Sequence, residues 1–119
     1  DNLPERLNKL LPEIDTDMGL ATCCGDADFY GEILQDFIAL PIKSELTTFL
    51  AAQDAPNYCT RVHGFKSNAY SVGAKALGDL AFKMEQLSRN NDLTDIPDLQ
   101  EQLFAQYDHI CTTIKMLIP

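Results

Sequence analysis

Apolar positions recur at helical spacing in almost every segment of the chain. No run of β-branched residues alternates with polar ones over the length of a strand. The opening stretch, Pro4 to Leu11, sets Leu7, Leu10 and Leu11 on one side, with Pro4 suited to a first helical turn. Asp15 or Thr16 caps a short helix carrying Met18, Leu20 and Ala21. Gly25 ends it, and Asp26 caps the next. Phe29, Ile33, Phe37 and Leu40 then follow at helical spacing. Pro41 lacks an amide proton, so it kinks or restarts the helix, after which Ile42, Leu46, Phe49 and Leu50 continue the apolar stripe. Gln53-Asp54-Ala55-Pro56-Asn57 is a turn signal. A helix is expected from about Asn57 to Val72 with Gly73 at its end. A partner from Ala74 to Arg89 carries Leu77, Leu80, Ala81, Met84 and Leu87 on one face. Asn90, Asn91 and Asp92 form a polar loop. The last helix begins near Pro97 and carries Leu99, Leu103, Ile110, Ile114 and Leu117. Long helices joined by short loops become antiparallel neighbours. The expected architecture is all-α, an antiparallel four-helix bundle with a short additional N-terminal helix. Residues 1–119 form one domain without an internal repeat.

Composition narrows what such a bundle does. Apolar residues make up 45% of the 119, enough for a chain of this length to bury one core. No apolar run approaches the ~20 residues of a membrane span, and no signal-peptide pattern is present. The chain begins at Asp1 and not at methionine, so we expect a piece cut from a longer protein. The formal net charge is −9 and the pI near 4.4, which repels phosphate backbones and anionic membrane surfaces. Nucleic acid and direct membrane contact are therefore not expected, and a basic or neutral protein partner fits. Cys23, Cys24, Cys59 and Cys111 form no C-x-x-C pair and have no histidine at zinc spacing. They are expected to be reduced thiols packed as small apolar residues, which points to the cytoplasm.

The candidate chemistry lies in the helix before Gly73. Tyr58, Val62, Phe65, Ala69 and Val72 recur at steps of four, three, four and three, a clean core stripe. With that arc centred at zero, His63 lies ~140° away, Lys66 ~80° and Ser67 ~180°. His63 therefore points to solvent, with Lys66 and Ser67 one turn further on. A core histidine would sit in the stripe, and His63 does not. Against an ordinary surface histidine stands its company. Gly64 and Ser67 add almost no bulk around the ring, although glycine inside a helix costs about 1 kcal/mol relative to alanine. Such a clearing lets another protein approach the imidazole. Lys66 supplies positive charge where a phosphoryl group on the ring would sit. An exposed imidazole titrates near ~6.5, so much of it is neutral and nucleophilic at pH 7. Phosphoryl transfer needs positioning and charge neutralisation more than elaborate acid–base groups. One histidine and one lysine then suffice if a partner brings Mg²⁺.

These residues resemble a known family. His63-Gly64-Phe65-Lys66-Ser67 resembles the H-x-L-K-G/S core of histidine-containing phosphotransfer (HPt) domains. Val72-Gly73-Ala74 with Leu77 resembles the family's hydrophobic-G-A-x-x-L continuation, and Ile14-Asp15, Gly19-Leu20, Gly25-Asp26, Tyr30 and Phe37 resemble its lead-in. The likeness spans roughly Leu11 to Arg89. It implies an elongated bundle with His63 exposed midway along one helix. It implies that His63 is the phospho-acceptor and Lys66 the charge partner, serving two-component phosphorelays. The partners implied are receiver domains, whose aspartate and Mg²⁺ exchange phosphoryl with the histidine, and a hybrid sensor histidine kinase. Ser67 stands in a slot often filled by glycine, and Phe65 in one often filled by leucine. Gly64, Ser67 and Tyr70 are the expected docking surface, with Tyr70 at its edge.

The expected protein is a monomeric phosphoryl carrier without cofactor or metal of its own and without ATP-dependent kinase activity. Two other readings compete. The dimerisation and phosphoacceptor helix pair of a sensor kinase usually follows its histidine with an acidic residue, whereas Gly64 follows here. A binding-only bundle would have no need of both His63 and Lys66. An ATP-using enzyme lacks its phosphate-binding glycine loop. His109, beside Asp108, reads as a surface residue. Asp92, Asp95 and Asp98 read as loop and helix-start charge, and Lys75, Lys83 and Arg89 as a solvated face that could help an acidic receiver dock.

Overall fold

The structure, a computed structural model, describes residues 2–119; Asp1 lies outside them. Seven helices follow one another among the described residues: α1 (Leu3–Leu10), α2 (Thr16–Thr22), α3 (Ala27–Ile38), α4 (Ile42–Ala51), α5 (Ala55–Val72), α6 (Lys75–Arg89) and α7 (Ile96–Leu117). Their starts are written in short polar side chains. Asn2 accepts from the Glu5 amide at 3.0 Å, Asp15 from Met18 at 3.0 Å, Asp26 from Asp28 and Phe29 at 3.0 and 3.1 Å, and Asp54 from Asn57 at 3.1 Å. Helix α3 stops at Ile38 and α4 resumes at Ile42, with Pro41 at its N-cap, where the missing amide proton costs nothing.

Helices α3 and α4 together form one long, interrupted leg. With α5, α6 and α7 this leg makes the four-helix bundle that the sequence implies, drawn out to 45 × 24 × 19 Å. The N-terminal addition comprises two short helices, α1 and α2, set against α7 and α5. The centre of the bundle is a ring trio. Phe37 stacks on Phe65 with centroids 5.6 Å apart, and Tyr107 meets both edge-on at 5.3 and 5.4 Å. The Tyr107 hydroxyl donates to the Phe37 carbonyl at 2.6 Å, so its burial leaves no unpaired polar group. Full burial of each such apolar side chain stabilises by roughly 1.5–3 kcal/mol.

The α5–α6 turn sets the register of the site. Gly73 has φ +89, and a Cβ there would collide with the Asp15 carbonyl oxygen. In return Gly73 accepts from the Asp15 amide at 2.9 Å, and the Tyr30 hydroxyl donates to the neighbouring Val72 carbonyl at 2.8 Å. The left-handed glycine thus reverses the chain and receives α2 and α3 in one place.

Three positions depart from the sequence reading. Phe29 is 47% exposed, while Tyr30 beside it is fully buried. The buried face of α3 runs through Tyr30, Leu34 and Phe37, rotated by about one residue from the Phe29–Ile33–Phe37 stripe. A tyrosine whose hydroxyl reaches Val72 is accommodated where the pattern favoured phenylalanine. Leu10 is 51% exposed, because α1 ends there and only Leu7 and Leu11 turn inward. All four cysteines are free. Cys23 and Cys111 are buried as expected, with burial pushing both thiols up, whereas Cys24 is exposed at φ 54 and does not pack.

Candidate functional site

The stripe residues of α5, namely Tyr58, Val62, Phe65, Ala69 and Val72, are all buried. His63 therefore leaves the helix on its outer side, with its side chain 57% exposed. It is not free. Its Nδ1 lies 3.0 Å from Oε1 of Glu85, a residue of α6 whose side chain is only 2% exposed. The same Oε1 receives the Lys66 ammonium at 2.8 Å, and Oε2 receives the Arg89 guanidinium at 2.6 Å. Antiparallel α5 and α6 bring these residues level with one another.

An isolated carboxylate at this depth would cost several kcal/mol. Burial alone would push the Glu85 carboxyl up. The hydrogen bonds and positive charges from Lys66 and His63 outweigh it and hold the group below the usual carboxylate range. Glu85 is thus ionised at neutral pH, and both of its oxygens have partners.

Lys66 bends toward α6. Its side chain is 18% exposed, and its ammonium lies 5.0 Å from the centroid of the Phe82 ring. The sequence reading sets its charge beside a phosphoryl group on His63; in the structure that charge is engaged by Glu85. Ser67 is exposed and clears the space above the next turn. Gly64 is half-buried with ordinary helical backbone, and a Cβ there would meet only the Arg61 guanidinium, at 3.5 Å. No inward packing requires glycine at this position. Arg61 itself is tied to Glu45 of α4 at 3.1 Å.

Tyr70 lies two turns beyond His63 and is half-buried over α6. Its ring covers Gly78, where a Cβ would strike it, and its hydroxyl donates to Asp79 at 2.6 Å. That bond, helped by burial, pushes the phenol up to about 12. Lys75 pairs with the other Asp79 oxygen at 2.9 Å. Lys75 and Arg89 are thus engaged in ion pairs rather than merely solvated. His109 stays on the surface of α7, as expected, beside a cleft lined by Ile14, Leu77 and Ile110.

The residue missed by sequence reasoning is Glu85. A signal existed: it falls among Leu77, Ala81, Met84 and Ser88 on the buried face of α6, so a charge interrupts an inward stripe. Cys59, one turn before His63, approaches the same segment, its thiol 3.6 Å from the Glu85 carbonyl.

Comparison with known proteins agrees with this architecture. No curated protein matches the chain in sequence. Among solved structures, histidine-containing phosphotransfer protein B (HptB) from Pseudomonas aeruginosa PAO1 superposes with a TM-score of 0.80, covering 89% of this chain and 94% of that one. At 23% identity that likeness is one of fold. The family model for the Hpt domain matches residues 31–113, which run from within α3 into α7 and include His63, Lys66 and Glu85. The chain therefore belongs to the Hpt-domain family, the histidine phosphotransfer modules of two-component phosphorelays.

Proposed function

We propose that His63 carries the phosphoryl group and exchanges it with the aspartate of a receiver domain. The observation that carries this assignment is a solvent-exposed imidazole midway along α5, anchored through one nitrogen to a buried carboxylate. Its other ring edge is left to the outside. In the transfer, a ring nitrogen attacks the phosphorus of an aspartyl phosphate. The N–P bond forms, the P–O bond breaks, and the electron pair leaves on the aspartate carboxylate. Mg²⁺ is assigned to the receiver, where it neutralises the oxygens of the leaving carboxylate and the phosphoryl group.

The charges around His63 favour a dianionic phosphoryl group. Glu85 contributes one negative charge, and Lys66 and Arg89 contribute two positive ones, so the cluster is +1 before the imidazole is counted. Lys66 acts as the charge partner chiefly by balancing Glu85, within the field of the ring. Gly64 and Ser67 clear the approach, and Tyr70 bounds it. The finer assignments belong to the same proposal: a monomer, without kinase activity of its own, exchanging with receivers fed by a hybrid sensor histidine kinase in the cytoplasm, where reducing conditions keep its thiols free.

The test is phosphoryl exchange with a labelled receiver domain, comparing wild type with His63→Gln. Acid-labile, base-stable label on the wild type alone is the expected result. Absence of label from the wild type with several receivers, while circular dichroism reports an intact fold, would overturn the assignment.

A further inference from the structure

We infer that the α6 flank of His63 docks the receiver domain, with Phe82 as its apolar anchor and Tyr70 as its wall. The inference rests on His63 being the carrier.

Leu77, Ala81 and Met84 of α6 are buried, whereas Phe82 is 42% exposed. It belongs to an outward stripe, Lys75, Asp79, Phe82, Gln86 and Arg89, at steps of four and three. This stripe follows the seam with α5. Asp79 accepts from Tyr70 there, Lys66 lies over the Phe82 ring, and Arg89 shares Glu85 with His63. The contacts His63–Glu85, Glu85–Lys66 and Lys66–Phe82 measure 3.0, 2.8 and 5.0 Å. Laid end to end they keep the Phe82 ring within about 11 Å of Nδ1, inside the ~16 Å radius of a standard interface of about 800 Å² per partner.

Transfer itself selects the occupant. The aspartyl phosphate must come within bonding distance of His63, so the body of the receiver covers what surrounds the ring. The ring leans toward α6, where its Nδ1 meets Glu85, and that brings the approach over this flank. Charge agrees. Three cations, Lys66, Lys75 and Arg89, stand against two carboxylates, Glu85 and Asp79, so the flank is net +1 in a chain of net −9. A receiver surface that holds Mg²⁺ is built from carboxylates, and opposite potentials align the two proteins. An aromatic side chain within a polar rim is the type of residue that dominates binding energy. Tyr70 closes the patch further along α5. Its ring is fixed over Gly78 and its hydroxyl is taken by Asp79, so it offers an immobile ring edge. The receiver that fits presents an apolar side chain beside a carboxylate-rich phosphorylation pocket.

The experiment uses a receiver domain that labels the wild type. Its unphosphorylated form is titrated calorimetrically against wild type, Phe82→Ala, Phe82→Leu and Phe29→Ala, and transfer from its phosphorylated form gives kcat and KM. Phe29, 47% exposed on α3, is the control outside the chain of contacts. Phe82→Ala is expected to raise Kd and KM about ten-fold with kcat unchanged, the loss typical of an aromatic anchor. Phe82→Leu keeps an apolar side chain there and should bind within about two-fold of wild type, and Phe29→Ala should bind as wild type. Wild-type Kd for Phe82→Ala overturns the inference, and so does a loss confined to Phe29→Ala, which would seat the receiver on α3. A fall in kcat at unchanged Kd overturns it as well, since Phe82 would then serve only to place Lys66. If no receiver labels the wild type, the carrier assignment fails and this inference with it; a labelled wild type with unaltered binding by Phe82→Ala removes the inference alone.

Discussion

Substituting Gly64 separates what the helix wants from what a docking partner wants. Gly64 lies inside α5 with ordinary helical backbone, so alanine recovers the helix propensity that glycine forgoes, about 1 kcal/mol. The structure adds no steric charge against it, because a new Cβ would be in ordinary contact with the Arg61 guanidinium at 3.5 Å and nothing nearer. Gly64→Ala is therefore expected to stabilise the protein, raising Tm by about 4 °C for a domain of this size. Gly64→Gln shares most of that helical gain but projects a long side chain beside His63. It is expected to fold at least as well as the wild type and to lower kcat/KM for receiver transfer by about ten-fold, equal to ~1.4 kcal/mol of lost docking. Thermal unfolding followed by circular dichroism and transfer at sub-saturating receiver measure the two effects. A drop in Tm for Gly64→Ala would mean that the glycine serves an internal packing need, which the geometry denies. Wild-type transfer by Gly64→Gln would mean that no partner comes close to that surface.

Two further outcomes concern stability. Gly73→Ala combines a left-handed backbone, costing about 1 kcal/mol for a residue with a Cβ, with a collision against the Asp15 backbone that forces a shift worth roughly 1–3 kcal/mol; we expect about 3 kcal/mol lost in urea unfolding, and a loss under ~1 kcal/mol would refute the packing argument. Because Glu85 is held below its unfolded value by Lys66 and His63 against the opposing effect of burial, its contribution is complete above the unfolded carboxylate range and is lost as pH falls through the folded value. Wild type should therefore lose stability more steeply than Glu85→Met below about pH 4.3, and parallel urea midpoints down to about pH 3 would contradict that sign.

Much of this molecule was legible in the chain itself, because much of it is local. The starts of α2 and α3 follow from Asp15 and Asp26, whose side chains cap amides two or three residues away. The break at Pro41 and the reversal at Gly73 follow from backbone chemistry at single positions. The outward direction of His63 follows from the five-residue stripe of its own helix, since the angle between side chains on one helix is fixed by its pitch. What the sequence left open depends on a second element. Phe29 and Tyr30 compete for the inner face of α3, and a hydroxyl partner on Val72, distant in the chain, decides for tyrosine. Lys66 sits at the margin of the stripe, where periodicity permits either solvent or a neighbour; the facing carboxylate and Phe82 turn it inward. Glu85 lies 22 residues from His63, and only the antiparallel register of α5 and α6 brings its oxygen to Nδ1. Periodicity determines the face on which a side chain stands, whereas the partner it meets there is set by how two helices slide and rotate against each other, which is a property of the packed core.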